Sequence, residues 1–261
     1  MSAVFLNAAR IGKFVDAMTR GRGVAPIGQQ AGIDIFRLLS LPESPEGVCF
    51  EDSVLDRCRD MLGRTVEEVV RSAGLEPDLS GRKDRVAAEF KRTLGQVLGE
   101  EGNASLWQNF NVKTIRVNNA GVPAEDISFS TIGQDVAVTE SWDSSDLKLC
   151  WQRPFLFNVF SVSASKEERL LGMAFCSIPS EDLDERAQGV WRNAIRGLMR
   201  GDRSALPKKS ESEFFVRDHG SHKTVGPDGE TTTPLAFWLS GEYVQALIEG
   251  RDSRGIGRYE H

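Results

Sequence analysis

The chain is short of several things that would have pointed to familiar chemistry. Its 261 residues include four cysteines (Cys49, Cys58, Cys150 and Cys176), scattered without a CxxC pair and without a histidine at metal-site spacing. That excludes the usual zinc frameworks and gives no basis for a disulfide scaffold, so reduced thiols in a cytoplasmic setting are expected. No stretch approaches 18 consecutive apolar residues, and no membrane span is expected. The first 14 residues carry Asn7, Arg10 and Lys13, which reads as an amphipathic helix start and not a secretory leader. Neither a GxxxxGK[ST] phosphate loop, a GxGxxG turn nor a GxSxG elbow occurs. The histidines His219 and His222 lie too close together to build a catalytic triad.

What is present is an ordinary globular composition, 40% hydrophobic and 27% charged, with a formal net charge of −6. The overall sign disfavours a polyanionic partner, but its distribution does not. Residues 32–80 hold 11 acidic against 5 basic side chains, whereas residues 191–223 hold 8 basic against 4 acidic. Local potential steers a polyanion more than the whole-chain sum does.

Periodicity divides the chain into helical and extended parts. Residues 2–19 and 29–41 read as helices separated by Gly21, Gly23 and Pro26, and residues 1–50 are expected to form an N-terminal extension to a domain at 51–261. Residues 51–73 are apolar at three- to four-residue spacing, interrupted at Gly63. Thr65-Val66-Glu67-Glu68 then makes a capping box that opens a short helix. A further helix is predicted over 83–98. Strands follow at 111–117, 126–132, 155–162 and 173–178, with Asn118-Asn119-Ala120-Gly121 as a turn between the first two. A helix over 183–199, a strand at 214–217, a polar loop at 219–233, an apolar run at 235–239 and a closing helix at 242–249 complete the reading. Helices flanking a mixed sheet define an α/β (α+β) domain.

The segment 111–117, Asn-Val-Lys-Thr-Ile-Arg-Val, carries the chemical signal. Residues two apart on a strand share a face. In many DNA-cleaving nucleases a carboxylate two residues before a lysine projects with it into one site. The carboxylate holds Mg²⁺ and the lysine attends the attacking water. Phe110 to Val117, the Asn-Asn-Ala-Gly turn, and Pro123-Ala124-Glu125-Asp126-Ile127-Ser128-Phe129 together resemble the core of the DNA mismatch-repair nuclease MutH and its GATC-cutting restriction-enzyme relatives. Other segments are similar in the same order: 65–74, Gly95-Gln96-Val97-Leu98, 140–157, Phe214-Phe215-Val216-Arg217, and 237–247. The resemblance spans roughly residues 53–250 and implies a restriction-endonuclease-like fold, double-stranded DNA as partner, and Mg²⁺ as cofactor in active members. Some related restriction enzymes pair an active domain with a degenerate copy of itself, so an active nuclease or another protein is a further implied partner.

The departures fall on the catalytic set. Asn111 stands where the family has Glu, Ala104 where it has Asp, and Gly99 where it has a helix Glu; Lys113 alone matches. An amide brings no negative charge to a divalent site. If the 111–117 and 126–132 strands pair as a hairpin, Asp126 comes opposite Lys113, and Glu100 from the helix end could supply a second metal ligand. Lys113, Asp126 and Glu100 are therefore the candidate catalytic residues, the last two as Mg²⁺ ligands. For DNA, the resemblance places Arg217 on the family's recognition arginine and Trp238 on a tyrosine that probes adenine methylation. Asp218 and His219 replace the neighbouring Pro and Lys. Lys148 and Arg153 both fall near a family lysine, and His222 and Lys223 are candidate phosphate contacts.

Overall fold

A computed structural model describes residues 49–78, 84–118, 121–132, 140–162, 167–220, 224–225, 231–250 and 254–257. The helices expected at 2–19 and 29–41 lie outside the described residues, as do His222 and Lys223. The chain divides into two compact units, Met1–Cys58 and Arg59–His261. Of the first, the description covers helix α1 (Phe50–Cys58), whose first turn carries Glu51 and Asp52 at the positive end of the helix dipole.

The second unit opens with a 3₁₀ turn (Arg59–Met61) and a left-handed Gly63, φ 76°. The predicted capping box then starts helix α2 (Val66–Ser72): Thr65 accepts from the Glu68 N–H while Glu68 accepts from the Thr65 N–H. Helix α3 (Arg85–Asn109) consists of two helical segments joined at a kink: the first ends at Leu98 as predicted, and a second that was not predicted runs on to Asn109. Gly99 makes the kink, with φ 73° and ψ 178°, a non-helical conformation essentially restricted to glycine.

Strand β1 (Asn111–Val117) keeps its predicted bounds. It pairs in parallel with β3 (Phe155–Val162), which pairs antiparallel with β4 (Glu168–Cys176), which pairs antiparallel with β9 (Arg254–Gly257). A second, antiparallel sheet has the order β2 (Ile127–Ile132), β8 (Leu235–Leu239), β5 (Phe214–Asp218). A small ladder, β6 (Thr224–Val225) with β7 (Thr231–Thr232), lies within the predicted polar loop. Helix α4 (Asp146–Gln152) precedes β3, helix α5 (Gln188–Met199) follows a π-helical turn at Asp182–Ala187, and helix α6 (Gly241–Glu249) follows β8. This is the mixed α/β architecture expected, helices and mixed sheets together. Among the described residues no helix is long and apolar enough to cross a membrane. Cys49, Cys58, Cys150 and Cys176 form no disulfide with one another.

Residues alternate across β3, so its two faces meet different partners. Phe155, Phe157 and Val159 join a core that includes Ile115 and Val117 of β1, Phe129 of β2, Phe214 of β5, Phe237 of β8, Trp191 of α5 and Val244 of α6. Trp151 of α4 is buried at its centre, 5.4 Å from Phe129 and 5.2 Å from Phe214 by ring centroid. On the opposite face Phe160 packs edge-on against Phe90 of α3. Arg85 of α3 binds Glu67 of α2 and Glu168 of β4, and Arg116 of β1 meets both Glu168 and Glu125. The charged chain ties α2 and α3 to β4 and β1 of the first sheet.

One pairing departs from expectation. The predicted β1–β2 hairpin closes its turn, with Gly121 N–H donating to the Asn118 carbonyl and Ala124 N–H to the Arg116 carbonyl, but pairs only Val117 with Pro123. Beyond it β2 leaves β1 and joins β8. Asp126 consequently does not lie opposite Lys113.

Candidate functional site

Asn111, Lys113, Ile115 and Val117 share the core-facing side of β1. The site is therefore built against the interior. Asn111 is buried, and all four of its hydrogen-bonding positions are used. Its Nδ2 donates to the Cys150 carbonyl at 2.6 Å and the Arg153 carbonyl at 3.2 Å. Its Oδ1 accepts from Arg153 Nη2 at 2.9 Å and from the Cys150 thiol at 3.3 Å. Two facing carbonyls demand a donor, so this pocket is complementary to an amide and not to a carboxylate. A guanidinium occupies the place beside Oδ1 that a metal ion would need.

Lys113 is drawn into the same interior. Its Nζ donates to the Ser128 carbonyl at 2.9 Å and lies 4.5 Å from the centre of the Phe129 ring. Its side chain thus spans the gap left where β2 departs from β1. Burial pushes the Lys113 pKa below its ordinary value. Arg153 and Lys148 are held in different surroundings. Arg153 reaches Asn111, whereas Lys148 pairs with Asp143 at 2.6 Å and borders Trp142.

Asp126 belongs to a different cluster. Its Oδ1 accepts from Lys209 Nζ at 2.8 Å and Gly241 N–H at 3.1 Å, and its Oδ2 accepts from Arg217 Nη1 at 3.1 Å. Burial works to raise its pKa, but the Lys209 hydrogen bond, the Gly241 N–H and the two positive charges outweigh that and hold the carboxyl below its usual range. Glu125 is committed to a two-pronged pair with Arg116, at 2.9 and 3.1 Å. Glu100 is exposed just after the Gly99 kink, and Ala104 is exposed one turn further along α3. Among the described residues no three His, Cys, Asp or Glu side chains converge to hold a metal ion. The donor set does not fit Mg²⁺: the β1 position offers an amide bonded to a guanidinium, and Asp126 already carries two cations.

Arg217 and Trp238 do come together. Arg217 is the fourth residue of β5 and Trp238 the fourth of β8, and β5 pairs Phe215 directly with Trp238. The Arg217 guanidinium lies 4.0 Å from the centre of the Trp238 ring, and Trp238 Nε1–H donates to the Arg217 carbonyl. The His219 ring lies 5.7 Å from that indole, and Phe215 stacks near-parallel with it at 6.5 Å. Stacking below and Asp126 beside it fix the guanidinium, while the side chain remains about half exposed (48%). Sequence reasoning missed Lys209, which lies 83 residues from Asp126 and whose pairing had no local signal.

No family model matches this chain. It is 20% identical to the type II restriction enzyme Sau3AI of Staphylococcus aureus over an alignment of 249 residues, which covers 76% of this chain and 51% of that enzyme. The chain thus spans about half the length of the relative it matches. Together with the mixed α/β architecture, that distant similarity supports a restriction-endonuclease-like relationship.

Proposed function

We propose that this chain is a DNA-reading domain on a restriction-endonuclease-like fold, in which the former cleavage centre has become a structural joint. The observation that carries the reading is Asn111. A carboxylate that had merely been lost would leave an unfilled pocket, whereas this amide is fully bonded to Cys150 and Arg153. Lys113, turned onto Ser128 and Phe129, serves the same joint by linking the two sheets. Mg²⁺ has no role in this reading, and no observation favours cleavage through Asp126 and Glu100.

The reading head is Arg217 with Trp238. A guanidinium held flat can present its free edge to O6 and N7 of guanine in the major groove. The indole beneath it borders the neighbouring position, which makes sensitivity to adenine methylation part of the proposal. The order of MutH-like segments along the chain supports that finer kinship. The match to half of a restriction enzyme fits a domain that works beside an active nuclease, in the same chain or as a separate subunit.

Fluorescence anisotropy tests this with duplexes that carry or lack GATC, methylated or not, and with a randomised duplex pool. Retention of duplex, weakened by Arg217→Ala on the preferred sequence by roughly tenfold (about 1–3 kcal/mol per bidentate base contact), is the result expected. Equal binding by the variant would remove Arg217 from base reading. No duplex binding at all would move the search to protein partners.

A further inference from the structure

Helix α5 carries Arg192 and Arg196, and its C-cap residue is Arg200; their four-residue spacing puts the three on one face. They rise about 6 Å apart along the axis. All three are exposed, and among the described residues none pairs with a carboxylate within 4.0 Å; Arg196 meets only the Asn193 side-chain oxygen. With Trp191, Ile195 and Met199 they line a shallow concavity of about 500 Å³. The helix dipole favours cations in a last turn. It does not explain why Met199, lying among them, is left 65% exposed.

Helix α5 packs against β5 and against the 3₁₀ turn Arg203–Ala205. From that turn Arg203 bonds Asp218 at 2.8 Å and the Thr233 carbonyl at 3.0 Å. We propose that the Arg192–Arg196–Arg200 face at α5 is a phosphate-binding ridge that seats one strand of duplex DNA.

The chemistry matches on two counts. A sugar–phosphate strand alternates anionic phosphates with less polar sugars, and this face sets a cationic row against an apolar floor. The ridge is about 12 Å long, and one strand presents a phosphate every 3.4 Å of axis, so it faces about three to four phosphates. Contacts of this kind fix position without reading sequence.

This inference rests on the DNA-reading proposal, and its test separates the two. Affinity for a duplex is measured by anisotropy across a salt series, for the wild-type chain and for the triple variant Arg192→Gln, Arg196→Gln, Arg200→Gln. Circular dichroism confirms that the variant's fold is retained. Each lost phosphate contact lowers the slope of log K against log salt by about 0.9, so the variant's slope is expected to be shallower by about 2.7. Between roughly 50 and 200 mM salt the variant's affinity then falls about 40-fold less than the wild type's. Its ranking of duplex sequences is expected to stay unchanged.

A wild-type chain that binds duplex DNA with a slope the variant shares would overturn the ridge and leave the reading head standing. A changed sequence ranking would overturn it too, by making the face a base reader. If the slope holds while the variant loses binding to a labelled acidic amphipathic peptide, the face belongs to a protein partner. No duplex binding by the wild type would remove both proposals together.

Discussion

Asn111→Asp is the smallest change that restores a carboxylate to β1, and the structure fixes what it should do. The wild-type Nδ2 is bonded to the carbonyls of Cys150 and Arg153 at 2.6 and 3.2 Å. In the variant a carboxylate oxygen faces both carbonyls, so two hydrogen bonds vanish and two buried acceptors repel a third. Each lost bond costs about 1 kcal/mol net, and an unsatisfied buried carbonyl about 1–3 kcal/mol more. A charge-assisted bond to Arg153, 2.9 Å from Oδ1, recovers part of this. The balance is a destabilisation of at least about 3 kcal/mol. With a urea m-value of about 2 kcal/mol/M, the unfolding midpoint drops by at least about 1.5 M. Tryptophan fluorescence and circular dichroism report it together, with and without Mg²⁺. A variant as stable as the wild type would refute the amide-specific pocket. One that Mg²⁺ stabilised would show that the site still takes a metal once its acid is returned.

Three further outcomes follow from the Asp126 cluster and the α2 capping box. Gly241→Ala is expected to cost about 1–3 kcal/mol by thermal melt, because a Cβ there would lie 2.9 Å from Pro123 Cβ and 3.2 Å from the Glu125 carbonyl. Thr65→Ala is expected to lose about 1 kcal/mol, since it removes the acceptor for the Glu68 N–H in the capping box. Asp126 is held below its ordinary pKa, so its stabilisation is fully present above about pH 4 and lost as pH falls through the folded value. Asp126→Asn is therefore expected to destabilise the chain at neutral pH and to flatten stability against pH on the acid side; a parallel displacement of the two curves would contradict this.

Local signals were legible because they act within a few residues. The alternation in 111–117 and the Asn-rich turn after it placed β1 to the residue, and the Thr-x-x-Glu spacing placed the start of α2. The end of the first α3 segment at Leu98 was legible because Gly99 breaks the helical backbone, whereas the second segment, on to Asn109, was not read because Gly102 stands near its start. Strand pairing was the larger miss. Two strands joined by a good turn ordinarily pair, but here β3 pairs with β1 in parallel while β8 draws β2 away. Everything that depended on that hairpin moved with it: Lys113 meets Ser128 instead of Asp126, and Asp126 meets Lys209 and Arg217. The contact of Arg153 with Asn111 is equally non-local, since it spans 42 residues of chain. The extended run at 214–217 and the apolar run at 235–239 were legible locally, and they form the paired strands that carry Arg217 and Trp238.

The central claim is that this fold holds DNA without cutting it, and a single paired assay addresses both halves. Supercoiled plasmid, methylated or unmethylated, is incubated with the chain and Mg²⁺ or Mn²⁺. Retardation of the plasmid and its conversion to nicked or linear form are followed on the same gel. The account expects retardation that weakens with salt and no metal-dependent nicking. Nicking that requires the metal, and that Lys113→Ala abolishes, would contradict it and return Asn111 and Lys113 to a working cleavage centre.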